Sequence, residues 1–211
     1  MRSQEEITEV NRGNLLPLME HFYTIQGEGF HSGEAAYFIR LGGCTVGCHW
    51  CDVKESWEGL NHPLLSVKSI ADLTNHSKSN FVVITGGEPV TYNLKPLTEQ
   101  LKSFGKVIAL ETSGAFPFTG SFDWVCLSPK KNKPPLPEYY NLAHELKVVI
   151  YNKDDFKWAE MHKSKVSKAC KLYLQVEWSV SEKMMPLIVE YVKNNPEWRI
   201  SVQSHKYIDV P

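Results

Sequence analysis

Three thiols crowd one short stretch, Cys44-Thr45-Val46-Gly47-Cys48-His49-Trp50-Cys51, at spacings of four and three residues, and no fourth thiol follows. Cysteine thiolates hold iron–sulfur clusters, usually four to a cubane. A loop that supplies only three leaves one iron with an open position that a small molecule can fill. Zinc is the rival. Structural zinc sites close with four ligands, generally as two separated pairs of Cys or His. This chain has no second Cys pair, so a Cys3His knuckle would have to enlist His49. Cys126 and Cys170 each stand alone in apolar stretches and read as small core hydrophobes. Gly42, Gly43 and Gly47 suit a loop that wraps a bulky inorganic ligand, because glycine reaches backbone regions closed to other residues.

Cys-x3-Cys-x2-Cys with an aromatic residue before the third Cys resembles the signature of radical S-adenosylmethionine (SAM) enzymes. The resemblance implies a 4Fe-4S cluster on Cys44, Cys48 and Cys51 whose open iron chelates the amino and carboxylate groups of SAM. An electron from the cluster then cleaves a carbon–sulfur bond of SAM, and the 5′-deoxyadenosyl radical takes a hydrogen atom from the substrate.

The elements that must position such a loop fit within one domain, since 211 residues suffice for one substantial core. Apolar residues make up 42% and charged residues 22%, as in ordinary soluble proteins, and the formal net charge of -1 implies no global attraction to nucleic acid or membrane. No stretch approaches the roughly 20 apolar residues of a membrane span, and the amino terminus lacks a secretory pattern. Five cysteines, three of them crowded together, favour a reducing compartment, with cytoplasm as the default.

Residues 1–18 are polar without a sustained period and read as a loose arm or an added edge strand, with one domain over 19–211. Glu20 to Gly29 runs from a strand-like segment into two glycines flanking Glu28. Ala35 to Leu41 has the composition of a buried strand and delivers the chain into the cysteine loop. Arg40 interrupts that apolar run and needs a partner, either Glu28 or an anionic ligand. Further on, Ser66 can cap a helix through about Lys78. The run Phe81 to Thr85 reads as a parallel strand buried on both faces and ends in Gly86-Gly87-Glu88-Pro89. A helix from about Leu94 to Phe104 and a strand from Lys106 to Thr112 follow.

Between Ala115 and Phe122, Pro117 and Gly120 leave no room for a crossover helix. Asp123 to Leu127 is the next strand, ending in Ser128-Pro129-Lys130-Lys131, and a Pro-rich loop runs on to Pro137. Strands over 146–150, 171–177 and 198–203 alternate with helices over 154–162 and from Ser181 or Pro186 to about Asn194. Such alternation predicts an α/β fold with a mainly parallel sheet. About six strands are too few for a closed eight-stranded barrel, so the expected geometry is an open, partial (βα) barrel with ligands at the carboxyl ends of its strands.

From about residue 20 to the end, several motifs together resemble the 7-carboxy-7-deazaguanine synthase family, a pared-down radical SAM core. They are Gln26-Gly27-Glu28-Gly29, Arg40, Thr85-Gly86-Gly87-Glu88-Pro89, Glu111-Thr112-Ser113-Gly114, Ser128-Pro129-Lys130 and Gln203-x-His205-Lys206. The resemblance implies ring contraction of 6-carboxy-5,6,7,8-tetrahydropterin to 7-carboxy-7-deazaguanine with loss of ammonia, on the way to queuosine and other deazapurines. It puts Trp50 and Asp52 beside SAM, Gly86, Gly87 and Glu88 at its amino group and methionine part, and Ser113, Ser128, Pro129, Lys130 and Gln175 at its remaining groups. The pterin would meet Ile25, Gln26, Gly27, Glu28, Arg40 and Thr85, with Arg40 gripping its carboxylate and Glu28 reading its donor edge. His205 is a candidate substrate contact or proton carrier, and the terminal Pro211 is implied to reach the substrate.

Two positions depart from the family pattern. Val53 stands where a threonine commonly helps to bind magnesium, and a valine offers no oxygen ligand. Val176 follows Gln175 where proline is common. The resemblance further implies a flavodoxin or ferredoxin reductant and a homodimer. The competing readings are a glycyl-radical-enzyme activase within the same chemistry and a zinc-stabilised binding module outside it.

Overall fold

The computed structural model describes residues 2–211. Gln4–Arg12 form helix α1, which the polar sequence conceals because the helix buries no side chain. Its ends account for it. Ser3 Oγ accepts the Glu6 N–H and the Glu6 carboxylate accepts the Ser3 N–H, a capping box, while Gly13 at φ 82° closes the other end. Strand β1 then spans Leu15–Ile25, with Leu16 and Leu18 buried. The boundary expected after residue 18 therefore falls inside an unbroken strand, and residues 4–18 are a helix plus the start of that strand.

The remaining elements alternate. They are β2 (Ala35–Leu41), β3 (Leu64–Ser66), α2 (Val67–Leu73), β4 (Phe81–Gly86), α3 (Lys95–Ser103), β5 (Val107–Thr112), β6 (Trp124–Leu127), α4 (Glu138–Leu142), β7 (Glu145–Ile150), α5 (Asp155–Lys163), β8 (Lys171–Val176), α6 (Ser181–Asn194), β9 (Trp198–Ser201) and α7 (His205–Ile208). The strands form one sheet in the order β3-β1-β2-β4-β5-β6-β7-β8-β9. Seven of them, β2 and β4 to β9, run parallel, and β1 pairs antiparallel with both β2 and β3. The expected open, mainly parallel sheet is thus found; each of its seven parallel strands coincides with a run named from sequence, against a stated count of about six. β5 and β6 are joined without a helix, as Pro117 and Gly120 foretold, and α6 takes the earlier of its two candidate starts. Helices α4 and α7 were not anticipated; at five and four residues they are too short to show a period.

Strand alternation sorts the side chains. Tyr37, Ile39, Val82, Ile84, Ile108 and Leu110 pack outward into the main core beneath the helices, as do Leu146, Val148, Leu172 and Leu174 further round the sheet. Their alternates Ala36, Val83 and Ala109 form a smaller cluster on the inner face. That same alternation aims Arg40, Thr85, Glu111 and Gln175 inward near the carboxyl ends of their strands, and Lys147 inward from the middle of β7. The sheet is strongly curled. Eight strands from β1 to β9 laid flat would span about 34 Å. Yet the Gly29 N–H, just after β1, donates to Ser201 Oγ on β9 at 3.0 Å, and the Ser204 N–H donates to the Gly27 carbonyl at 2.9 Å. Among the described residues no helix is long and apolar enough to cross a membrane.

Candidate active site

The cysteine loop leaves β2 and is tied down by backbone bonds at its start. Gly43 N–H donates to Ser56 O at 2.6 Å, and Cys44 N–H to Trp57 O at 3.0 Å. The Glu88 N–H donates to Gly43 O at 2.9 Å, and Gly87 N–H to Leu41 O at 2.9 Å, so the turn after β4 is laced directly to the loop. Cys44, Cys48 and Cys51 are free, partly exposed thiols, and all three line one cavity of about 290 Å³ at the mouth of the sheet, close to the lower end of small-molecule pockets (about 300 Å³). Burial pushes the Cys44 and Cys48 thiols up. Among the described residues no three His, Cys, Asp or Glu side chains share a point where one metal ion would sit. A cubane asks for no such point, because each thiolate binds a different iron; the donor set, three thiols facing a shared space at the mouth, fits that group.

The cavity gathers nearly every residue singled out from sequence. Ile25, Gln26, Gly27, Glu28, Arg40, Thr85, His205 and Pro211 line it, as do Trp50, Asp52 and Val53 of the cysteine loop. So do Gly86, Gly87, Glu88, Ser113, Ser128, Lys130 and Gln175. Pro129 does not; it borders a smaller adjoining pocket with Cys48, His49 and Trp50.

Glu88 is only 2% exposed and saturated by donors: Thr112 Oγ1 at 2.6 Å, Ser113 N–H at 2.8 Å and the Ser113 hydroxyl. Burial pushes its carboxyl up, and the bonds from Ser113 and Thr112 oppose that. Lys130 is pushed down by burial; its ammonium donates to Ser128 Oγ at 2.6 Å and lies 5.3 Å from the Trp50 ring centre. Gln175 accepts from Ser201 Oγ at 2.7 Å.

Arg40 corrects one of the two partners offered from sequence. Its Nε bonds Glu20 at 2.5 Å, its register neighbour across the β1–β2 ladder, and not Glu28. Glu28 instead accepts from Lys147 Nζ at 2.7 Å and from Gln203 Nε2 at 2.8 Å. Burial raises its carboxyl, but the Lys147 charge and hydrogen bond and the Gln203 bond outweigh burial and hold it down at about 2.

The tail closes the opposite wall. His205 opens α7 and stands so near Gly27 that a Cβ there would fall 2.2 Å from Nδ1. Burial pushes the imidazole below its ordinary value, with Glu28 pulling the other way. The Pro211 terminus accepts from Thr24 Oγ1 at 3.4 Å. Sequence reasoning missed Lys147 as a member of this site, along with the inward-facing Phe22, Phe38 and Val149. Lys147 was detectable: it interrupts an apolar strand just as Arg40 does.

An open parallel sheet whose mouth carries a three-cysteine loop laced to a Gly-Gly-Glu-Pro turn is the arrangement of radical SAM enzymes, and this chain is one. Residues 25–165 match the family model described as a 4Fe-4S single cluster domain. The chain is 56% identical to the 7-carboxy-7-deazaguanine synthase of Flavobacterium psychrophilum over 100% of both chains. It is 49% identical to that of Synechocystis sp. over 92% of this chain and 93% of the relative. The crystal structure of QueE from Escherichia coli superposes with a TM-score of 0.81 at 29% identity, over 95% of this chain and 98% of that one. The chain belongs to the 7-carboxy-7-deazaguanine synthase family. Neither the activase nor the zinc-module reading is favoured by these relatives.

Proposed function

We propose that this chain contracts 6-carboxy-5,6,7,8-tetrahydropterin to 7-carboxy-7-deazaguanine with loss of ammonia, a step towards queuosine and related deazapurines. The observation that carries the reading is the meeting, in one cavity, of three thiols, the Glu28 carboxyl bonded to Lys147 Nζ at 2.7 Å, and the guanidinium of Arg40.

Cys44, Cys48 and Cys51 would hold the 4Fe-4S cluster. When bound, the cluster and SAM supply the one-electron chemistry that removes a hydrogen atom from the substrate. The chain's own groups bind and orient. Gly86 and Gly87 expose carbonyls that suit an ammonium group, and Glu88, fixed by Thr112 and Ser113, sets the shape of that wall. Trp50, Asp52, Ser113, Ser128, Lys130 and Gln175 surround the rest of the cofactor, with Pro129 acting from behind Lys130. Arg40 spends only Nε on Glu20, so its Nη groups are free to grip the pterin carboxylate in two bonds. Glu28 accepts N–H groups of the aminopyrimidinone edge, and Gln26, Gly27, Ile25 and Thr85 frame the ring. His205, its imidazole pushed by burial below its ordinary value, would pass a proton, and Pro211 would seal the pocket.

Val53 lines the cavity without an oxygen, so a magnesium ion in this site would be held by substrate oxygens and water. The reading includes a flavodoxin or ferredoxin as electron donor, a homodimer, one catalytic domain whose core takes in Leu16 and Leu18, no nucleic-acid or membrane partner, and a reducing cytoplasmic setting. Anaerobically reconstituted protein, given SAM, reductant and the tetrahydropterin, is expected to release the deazapurine and ammonia in equal amounts. Protein with a full cluster that yields no deazapurine would overturn the reading.

A further inference from the structure

The inner face of the sheet carries a row of ionisable groups. Register sets Glu111 on β5 opposite Cys126 on β6, and Cys126 opposite Glu145 on β7. Lys147 lies two residues beyond Glu145 on the same face, nearer the mouth. It is only 5% exposed, and a buried ammonium persists only where anions or acceptors meet it. Its Nζ meets two, Glu28 at 2.7 Å and Glu111 at 2.9 Å.

We propose that Lys147 is a positioning residue that keeps Glu28 ionised and fixed in direction, so that this wall of the cavity admits a ligand edge of N–H donors and rejects an edge presenting lone pairs. The inference rests on the function proposed above and deepens it, because the aminopyrimidinone edge shared by the pterin and its product is such a donor edge.

Geometry leaves Glu28 little choice. One oxygen is taken up with Lys147 and the other with Gln203, whose own carbonyl is pinned by Lys206 Nζ at 3.0 Å. A neutral Glu28 would carry an O–H donor and could satisfy the wrong edge. Burial alone pushes it that way, and the Lys147 charge leads the forces that reverse it. The surroundings support this division. His205 faces Glu28 from the tail, while Cys126, Glu111 and Glu145 face Lys147 from β5, β6 and β7. Burial drives Cys126 well above its ordinary value, so it stays a neutral thiol. Burial and the nearby Glu111 also push Glu145 up, so it competes less for the Lys147 charge.

The test uses reconstituted holoenzyme with SAM and measures binding of 7-carboxy-7-deazaguanine by anaerobic titration calorimetry from pH 8 to 5. Wild type, Lys147→Met and Lys147→Arg are compared, with melting temperatures alongside. Lys147→Met is expected to bind about 30-fold more weakly or worse at pH 8, the scale of a lost buried charge partner. Its affinity should fall further towards pH 5, where an unpaired buried carboxyl titrates; Lys147→Arg should restore the wild-type profile. A Lys147→Met profile that parallels wild type, or Lys147→Arg behaving like Lys147→Met, overturns the proposal whatever the melting temperatures do. If Lys147→Met does not fold, Lys147→Gln takes its place; failure of both marks Lys147 as a folding residue and also overturns it. Turnover separates the two readings. A wild type that binds the probe with this Lys147 dependence but does not convert the pterin refutes the function alone. A wild type that converts it while Lys147→Met matches its binding refutes the positioning role alone.

Discussion

Gly87 has room for a hydrogen and nothing more, and replacing it with alanine isolates the contact between the cysteine loop and the turn after β4. An ideal Cβ at Gly87 would lie 2.6 Å from the Gly43 carbonyl oxygen and 2.7 Å from Cys44 Cβ. Comfortable carbon contacts begin at about 3.5 Å, so the shortfall approaches 1 Å. Neither neighbour is the loose end of a flexible side chain. The Gly43 oxygen is also the acceptor for Glu88 N–H, and Gly87 N–H is held by Leu41. The loop itself must therefore retreat. Overpacking of this kind costs about 1–3 kcal/mol, a melting temperature lower by about 2–12 °C for a chain of this size. The displacement falls on Cys44, so reconstituted Gly87→Ala is expected to hold less iron and acid-labile sulfide per chain than wild type. Gly105→Ala is the control. It follows α3, away from the cysteine loop, at φ 71° with nothing within 4 Å of its Cβ, so it should lose about 1–2 kcal/mol to backbone strain while keeping its cluster. A Gly87→Ala protein with a full cluster and unchanged melting temperature would refute the contact; equal cluster loss in both variants would refute it as the cause.

Three further outcomes are expected. Arg40→Lys keeps the charge but loses the paired Nη donors, so the KM for the tetrahydropterin should rise about 10- to 100-fold, with a smaller change in kcat; a change confined to kcat would remove Arg40 from substrate binding. Glu28 is held at about 2 against an ordinary 4.5. Its stabilisation is therefore complete above about pH 4.5 and lost as pH falls towards 2, about 3 kcal/mol in all. Urea unfolding across that window should show a shallower acid loss in Glu28→Gln than in wild type, and identical slopes would show that the carboxylate is not held. Val53→Thr adds the missing hydroxyl and should increase the ratio of activity with magnesium to activity with chelator; an unchanged ratio would mean that position 53 does not set ion binding.

What could be read from the residues, and what could not, follows from range. The cysteine spacing, the continuous apolar runs and the Gly-Gly turn after Thr85 are local signals, and each led to an element or loop that the structure contains. Helix α1 escaped because its few apolar residues are not buried, Ile7 among them exposed, and its ends are fixed by a capping box and a left-handed glycine. Arg40 shows the limit of local reading more sharply. Its need for a partner was plain, but the choice of Glu20 depends on the register of an antiparallel pair, which a bulge between Leu18 and Glu20 resets. The partner of Lys147 lay beyond reach for the same reason from the other side, although its need for one was as plain: only the curl of the sheet brings β7 against the loop after β1, across 119 residues of chain. The same curl gives that ion pair its consequence. Were the sheet flat, Glu28 would stand far from β7, where its charge needs no keeper; the curl of the sheet both buries Glu28 and delivers the cation that keeps it an anion. Charge state and curvature are thus one property of this fold, and the ligand edge the pocket accepts depends on both.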